Sequence, residues 1–147
     1  METWDTFAVI TGGAAAALAG LLFVAVSINA HTVGSSLELR RRAVIVLSLY
    51  STVFLISVLI VIPGQSYRTL GAELIVLAVV AAFEVKIFGY EAGPTLGPGM
   101  LTSLLLLGAG LVLVFGMHVG LYVLVLPVVV ALGFGGIRAW GFLVRIW

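Results

Sequence analysis

The stretch Leu70–Tyr90, LGAELIVLAVVAAFEVKIFGY, determines how the rest of the chain is interpreted. It is long and apolar enough to cross a bilayer, yet it contains Glu73, Glu84 and Lys86. A charged side chain near the bilayer centre costs roughly 2.5–3.5 kcal/mol on insertion scales, so it needs a partner, a water-filled path or a route to the interface. If this protein has a functional site, we expect this helix to contribute to it.

The composition excludes an ordinary soluble domain. Of the 147 residues, 63% are hydrophobic and 9% are charged, and the mean hydropathy is +1.31, whereas globular domains carry about 25% charged residues. The absence of cysteine excludes disulfides, thiol catalysis and thiolate metal sites. A net charge of +1 argues against a nucleic-acid partner. We therefore expect a single transmembrane domain over residues 1–147, in contact with the lipid bilayer.

Five apolar runs separated by short breaks predict an all-α fold, a polytopic membrane helical bundle with five transmembrane helices. Glu2 and Asp5 precede the first run, where a secretory signal would carry positive charge, so that run is expected to remain as a span. The spans are expected at about 7–28, 43–62, 70–90, 100–116 and 119–140, with an interfacial C-terminal helix extension over 138–147.

Positively charged residues predict the orientation of the bundle. If the Arg40–Arg42 loop is cytoplasmic, alternation puts six of the seven Lys and Arg residues on that side and leaves Arg68 outside. The N-terminus is then out and the C-terminus in. An anionic-lipid or ligand patch is the alternative interpretation of the arginine run. The residues expected to set topology or contact lipid are Arg40, Arg41, Arg42, Lys86, Arg145, Trp140 and Trp147.

Glu73 and Glu84 are the main candidates for a functional site. Eleven residues apart, they project from one helix face about 16 Å apart along the axis, and Glu91 continues that face. Glu73 falls in the first turn, where the helix dipole favours an acid. Glu84 lies deeper, and three interpretations remain open. It forms an ion pair with Arg138, it lines a cation or proton path, or burial keeps it protonated.

Two faces of small residues predict close helix packing, within the chain or with another chain. Because five short helices enclose little volume, we expect a homo-oligomer, with a larger membrane protein as a further candidate partner. The first face is Gly12, Ala16 and Gly20, and the second is Ala131, Gly135 and Ala139.

The sequence contains no motif of classical catalysis. His31 and His118 fall on opposite sides of the membrane in the predicted topology, and neither has a second histidine at metal spacing. There is no Gly-x-Ser-x-Gly or HExxH motif and no phosphate-binding glycine loop. We therefore expect no enzyme activity, no metal and no cofactor.

Six short strings occur in a fixed order along the chain. They are AGLLFVAVSIN (19–29), LRRRA (39–43), IPGQ (62–65), LGAEL (70–74), GLYVLVLP (120–127) and AWGFLV (139–144). Together they resemble a group of small uncharacterised bacterial multi-span integral membrane proteins, common in high-GC Gram-positive genomes. The resemblance covers most of the chain and implies a multi-pass protein of the bacterial cytoplasmic (inner) membrane. It implies no known activity.

Two classes of function follow from these observations. The first is an oligomeric channel or passive conduit for ions or small solutes, with Glu84 and Glu73 facing the pathway. The second is a non-transporting accessory, scaffold or regulatory subunit of a larger membrane complex, packed through its glycine faces. Acidic side chains on a wet central axis would favour the conduit. An ion pair between Glu84 and Arg138 within one protomer would favour the accessory protein.

Overall fold

The structure, a computed structural model, describes residues 2–88 and 97–146. In this part of the chain it contains six helices and no strand. Glu91 and Trp147, to which the sequence assigned an acidic-face and an interfacial role, lie outside the described residues. The helices are α1 Glu2–Ile28, α2 Ala30–Ser35, α3 Leu37–Val61, α4 Tyr67–Phe88, α5 Pro98–Val114 and α6 Val119–Ile146.

The all-helical fold is confirmed, and three of the helices are long and apolar enough to cross a membrane. They comprise Trp4–Ile28, Leu37–Val61 and Val119–Arg145. The other two long helices differ from these in charge and in length. Every 18-residue stretch of α4 contains three charged residues, and α5 has only 17 residues.

Helices α3, α4, α5 and α6 form an antiparallel four-helix ring. Each helix packs on the next one along the chain, and α6 closes the ring by packing on α3. As a result, α4 and α6 occupy diagonal positions. Helix α1 lies outside the ring, where it packs along α3 and touches α6 only slightly.

Local sequence explains where the helices begin and end. The Ser36 hydroxyl accepts a hydrogen bond from the backbone N–H of Leu39 at 3.4 Å and so caps α3. Helix α3 ends just before Pro63 and Gly64, and Gly64 has φ +73°. Helix α5 begins at Pro98 and is followed by Gly116 with φ +78°. Positive φ strains residues that carry a side chain, so these two glycines suit the tight connections after α3 and α5.

The segment 29–42 differs from the loop expected there. It contains the short helix α2 and the first turns of α3, so the Arg40–Arg42 run lies on a helix. The cap at Ser36 and the helix-forming sequence that follows it account for this early start. At the other end of the chain, α6 runs unbroken to Ile146. The predicted extension over 138–147 is therefore the last part of α6.

The main apolar core lies along the axis of the ring. Its fully buried members include Ile56, Leu70, Leu106, Leu113 and Leu124, which come from all four ring helices. A smaller cluster joins α1, α2, α3 and α6 at one end of the molecule. It consists of Leu22, Val33, Ala43, Val46, Tyr50 and Phe142.

Candidate functional site

Glu84 lies half-buried where α4 faces α3. It stands four residues before the end of α4, and its Oε2 accepts a hydrogen bond from the hydroxyl of Ser48 on α3. The contact joins residues 36 positions apart in the chain. The partner of this carboxyl group is therefore a neutral hydroxyl on the neighbouring helix.

A cavity of about 20 Å³ lies beside this hydrogen bond. Its polar lining consists of Ser48, Glu84, Thr52, Thr102 and Ser103. The last three hydroxyls each donate to a carbonyl four residues earlier in their own helix, at 2.8–2.9 Å. Their oxygens remain as acceptors toward the cavity. A space of this size holds about one water molecule, and the rest of its lining is apolar, with Val44, Leu49 and Val85 among the residues.

A close contact at Gly99 brings the start of α5 to this pocket. A Cβ on Gly99 would lie 2.6 Å from Cγ2 of Val85, so only a glycine lets the start of α5 lie this close to the end of α4. Thr102 and Ser103 follow within the next turn and are buried beside Glu84.

The structure does not bring Arg138 to Glu84. Arg138 is exposed on α6, which is diagonal to α4 in the ring, and it forms no ion pair with another described residue. The sequence placed the two groups at similar depth. Depth along a helix does not determine which helices are neighbours, and here the helix order separates them.

Glu73 lies near the opposite end of α4. Its Oε2 accepts a hydrogen bond from the side-chain amide of Gln65, in the connection after α3. Both acidic groups are thus held from the α3 side. Leu77, between them on the same side, packs against the main core. Within the described chain, no continuous polar lane joins the two carboxyl groups.

The second small-residue face is occupied inside the protomer. Ala131 is fully buried, and a Cβ on Gly135 would lie 2.7 Å from Cε1 of Tyr50 on α3. Ala139 is half-buried against the smaller apolar cluster. This face therefore packs α6 against the rest of the same chain.

The first small-residue face is only partly occupied. Gly12 is buried, and a Cβ there would lie 2.8 Å from Cβ of Ser57 on α3. Next to it, the hydroxyls of Thr11 and Ser57 share a 3.1 Å hydrogen bond. In contrast, Ala16 and Gly20 are exposed. The side of α1 that carries them has no neighbour in the described protomer.

Six of the seven positively charged residues gather at one end of the bundle, at the start of α3 or toward the ends of α4 and α6. There Glu38 pairs with Arg42 at 2.5 Å and more loosely with Arg145 at 3.5 Å. All three side chains are exposed, so these pairs add little stability. The six are Arg40, Arg41, Arg42, Lys86, Arg138 and Arg145, and exposed Trp140 lies at the same end, whereas Arg68 begins α4 at the other.

Sequence reasoning did not single out the hydroxyl groups beside Glu84, of which only that of Ser48 hydrogen-bonds to it. Ser48 and Thr52 are four residues apart and share a helix face, which is a detectable signal. Thr102 and Ser103 were not considered, because nothing local in the sequence indicates that the start of α5 packs beside Glu84.

The two histidines lie at opposite ends of the bundle. His31 is exposed on α2, and the ring of His118 packs edge-on against Tyr67 with centroids 4.9 Å apart. Within the part of the chain that the structure describes, no group of three His, Asp or Glu side chains is placed to hold a metal ion.

Comparisons of the chain with protein-family models, curated proteins and solved structures find no match. What the protein does is therefore argued from its own residues and their geometry.

Proposed function

We propose that this chain is a non-transporting membrane protein that acts through lateral assembly, as an accessory, scaffold or regulatory subunit. The main observation behind this proposal is that each of the two acidic side chains accepts a hydrogen bond from a neutral side chain nearby. Glu84 is held by Ser48, Glu73 is held by Gln65, and Leu77, which lies between them on α4, packs against the apolar core. A conduit through the protomer would need these groups to line one wet path.

The outer side of α1 is the surface proposed for assembly. Only 17% of its most apolar stretch is buried, compared with 44% for α3. A Cβ added at Gly13 or Gly20 would meet nothing within 4 Å. We call the exposed stripe of Gly13, Ala16, Ala17 and Gly20 the α1 face. Small residues at such spacing let a second helix backbone approach closely, which is how transmembrane helices associate.

The proposal includes five membrane crossings, with the N-terminus out and the C-terminus in. Helix α4 is about 33 Å long and α5 about 26 Å, against a hydrocarbon core of about 30 Å. The charges of α4 sit toward its ends, with Arg68 at one and Lys86 at the other. The proposal also includes a bacterial cytoplasmic membrane, the location that the resemblance seen in the sequence implies.

The first partner to test is a second copy of this chain. In mild detergent, cross-linking and sedimentation of the purified protein should reveal a multimer. The double variant Ala16→Leu, Gly20→Leu should shift it toward the monomer with little change in thermal stability, because neither side chain has a neighbour within the protomer. Gly133→Leu is the matched control, because Gly133 is an exposed glycine on α6 with open space around it.

Two results would argue against this surface. One is a double variant that assembles as fully as the wild type and the control. The other is a wild-type protein that is monomeric at every concentration and purifies from its membrane without any other membrane protein.

An oligomeric conduit is the second candidate, and one observation favours it. The pocket beside Glu84 is lined by hydroxyl oxygens that face it as acceptors, a lining suited to a cation or a proton donor. Liposome flux of K⁺, Na⁺, H⁺ and Cl⁻ separates the two candidates. We expect no flux above that of empty liposomes. Flux that Glu84→Gln alters at unchanged assembly would make the conduit the function.

A further inference from the structure

An open apolar groove lies between α1, α2 and α3 at the basic end of the bundle. It has a volume of about 310 Å³. Phe23 and Val26 form its wall on α1, and Val44 and Leu47 form its wall on α3. Helix α2 closes one end, where Val33 is buried in the smaller apolar cluster. We call this feature the α1–α3 groove.

Arg40 lies on the rim of the α1–α3 groove and supplies its charge. The side chain is exposed and forms no ion pair with another described residue. Glu38, the acidic residue nearest in sequence, is engaged by Arg42 and Arg145. Arg40 is therefore left to bind an anion from outside the protein.

The groove has the amphipathic layout of a phospholipid. Arg40 stands at one end, and the apolar wall of α3 continues for seven residues to Leu47, which is about 10 Å along the helix. An exposed cation at the membrane interface, followed by an apolar channel that leads toward the bilayer centre, matches a charged headgroup and the first part of an acyl chain. The volume falls at the lower end of the range of ligand sites.

We propose that the α1–α3 groove binds one anionic phospholipid, with the lipid phosphate on Arg40 and an acyl chain along Phe23, Val44 and Leu47. The proposal depends on the membrane location of the long helices and does not depend on assembly through the α1 face. The groove lies beyond that face along α1, at Leu22, Phe23 and Val26 toward the C-terminal end of the helix.

The test compares lipid binding in four variants. Delipidated protein in mild detergent is titrated with phosphatidylglycerol or phosphatidylcholine, and bound lipid is counted by native mass spectrometry with thermal stability followed in parallel. Arg40→Gln removes the charge, and Gly34→Leu fills the groove from α2, where an added Cβ meets nothing within 4 Å. The controls are Arg68→Gln, an exposed arginine at the other end, and Gly133→Leu.

The wild type should bind one phosphatidylglycerol more tightly than phosphatidylcholine. Arg40→Gln should lower the affinity for phosphatidylglycerol by about fivefold, which is the usual effect of removing one cation at the membrane interface. Gly34→Leu should remove the bound lipid, and both controls should bind as the wild type does.

Three outcomes would overturn the proposal. Equal affinity for the two lipids would mean that the charge of Arg40 does not contribute to lipid binding. Losses of the same size in the controls would indicate that lipid binds without a specific site at the α1–α3 groove. Equal stabilisation by glycerol 3-phosphate alone would indicate a soluble-anion site in place of a lipid site.

Discussion

At the scale of single residues, the contact between Ser48 and Glu84 shows how this chain accommodates an acid inside an apolar helix. A carboxyl group at membrane depth requires a donor or an opposite charge. Here the donor is a hydroxyl on the adjacent helix, and the acid remains half-buried beside a pocket the size of one water molecule. This contact ties α3 to α4 at a point where the surrounding residues are mostly apolar.

Ser48→Ala should lower the free energy of unfolding by about 1–3 kcal/mol, because it leaves the Glu84 carboxyl group without its donor. Thermal or denaturant unfolding in detergent measures the change. Ser51→Ala is the matched control, since Ser51 is an exposed serine one turn along the same helix. Equal losses in the two variants would mean that the hydrogen bond to Glu84 contributes nothing specific.

The sequence leaves three interpretations of Glu84 open and does not identify Ser48 as its partner. The spacing of Glu73 and Glu84 fixed their shared face, because helical periodicity is a local property. The choice between Arg138 and Ser48 depends on which helices are neighbours around the ring. That order results from packing among distant segments, and no local pattern encodes it.

At the scale of elements, close contacts between glycines and the facing helix determine how α4 and α5 pack. A Cβ on Gly71 would lie 2.7 Å from the carbonyl oxygen of Gly110 and 2.7 Å from the backbone nitrogen of Val114. A Cβ on Gly110 would in turn lie 2.9 Å from the carbonyl oxygen of Gly71. The two backbones therefore approach each other without any side chain between them, as small residues permit in membrane bundles.

Gly71→Ala should destabilise the bundle by about 1–3 kcal/mol, because the new methyl group meets backbone atoms that cannot move aside locally. Gly108→Ala on α5 is the control, because its Cβ meets nothing within 4 Å. The control should be neutral or slightly stabilised, since alanine is the better helix former. If Gly71→Ala melts at the wild-type temperature in detergent, then the close contact between Gly71 and Gly110 does not contribute to the stability of the bundle.

Five of the six helices could be predicted from the sequence. Most of their ends are predicted to within a few residues. Long apolar runs and the breaks at Pro63-Gly64 and Gly116 are strong local signals. Local sequence does not predict helix α2 or the early start of α3, because a six-residue helix has no periodicity to detect and a run of charged residues is typical of a loop. The cap at Ser36 is the signal that would have corrected this boundary.

At the scale of the whole molecule, the fold gives the bundle two chemically different ends. The basic end gathers six positive charges, and the α1–α3 groove, with Arg40 on its rim, lies at this end. The other end holds Arg68 and an aromatic cluster in which Trp4 packs edge-on against Phe7 and Tyr122, with centroids 5.7 and 5.1 Å apart. Charge asymmetry and aromatic residues near the ends are the features that orient proteins in a bilayer.

The number of crossings decides the topology of the bundle. The decisive question is whether the hairpin of α4 and α5 traverses the membrane, since α4 is charged and α5 is short. The chain has no cysteine, so single cysteines can be introduced and labelled without background.

The measurement is the reaction of Thr32→Cys, Gly97→Cys and Met117→Cys with a membrane-impermeant thiol reagent, before and after the cells are permeabilised. All three sites lie in exposed or half-buried positions near helix ends. With five crossings, Met117→Cys reacts in intact cells, and Thr32→Cys and Gly97→Cys react only after permeabilisation. If Gly97→Cys reacts in intact cells together with Met117→Cys, then α4 and α5 do not cross, and the five-span account is wrong.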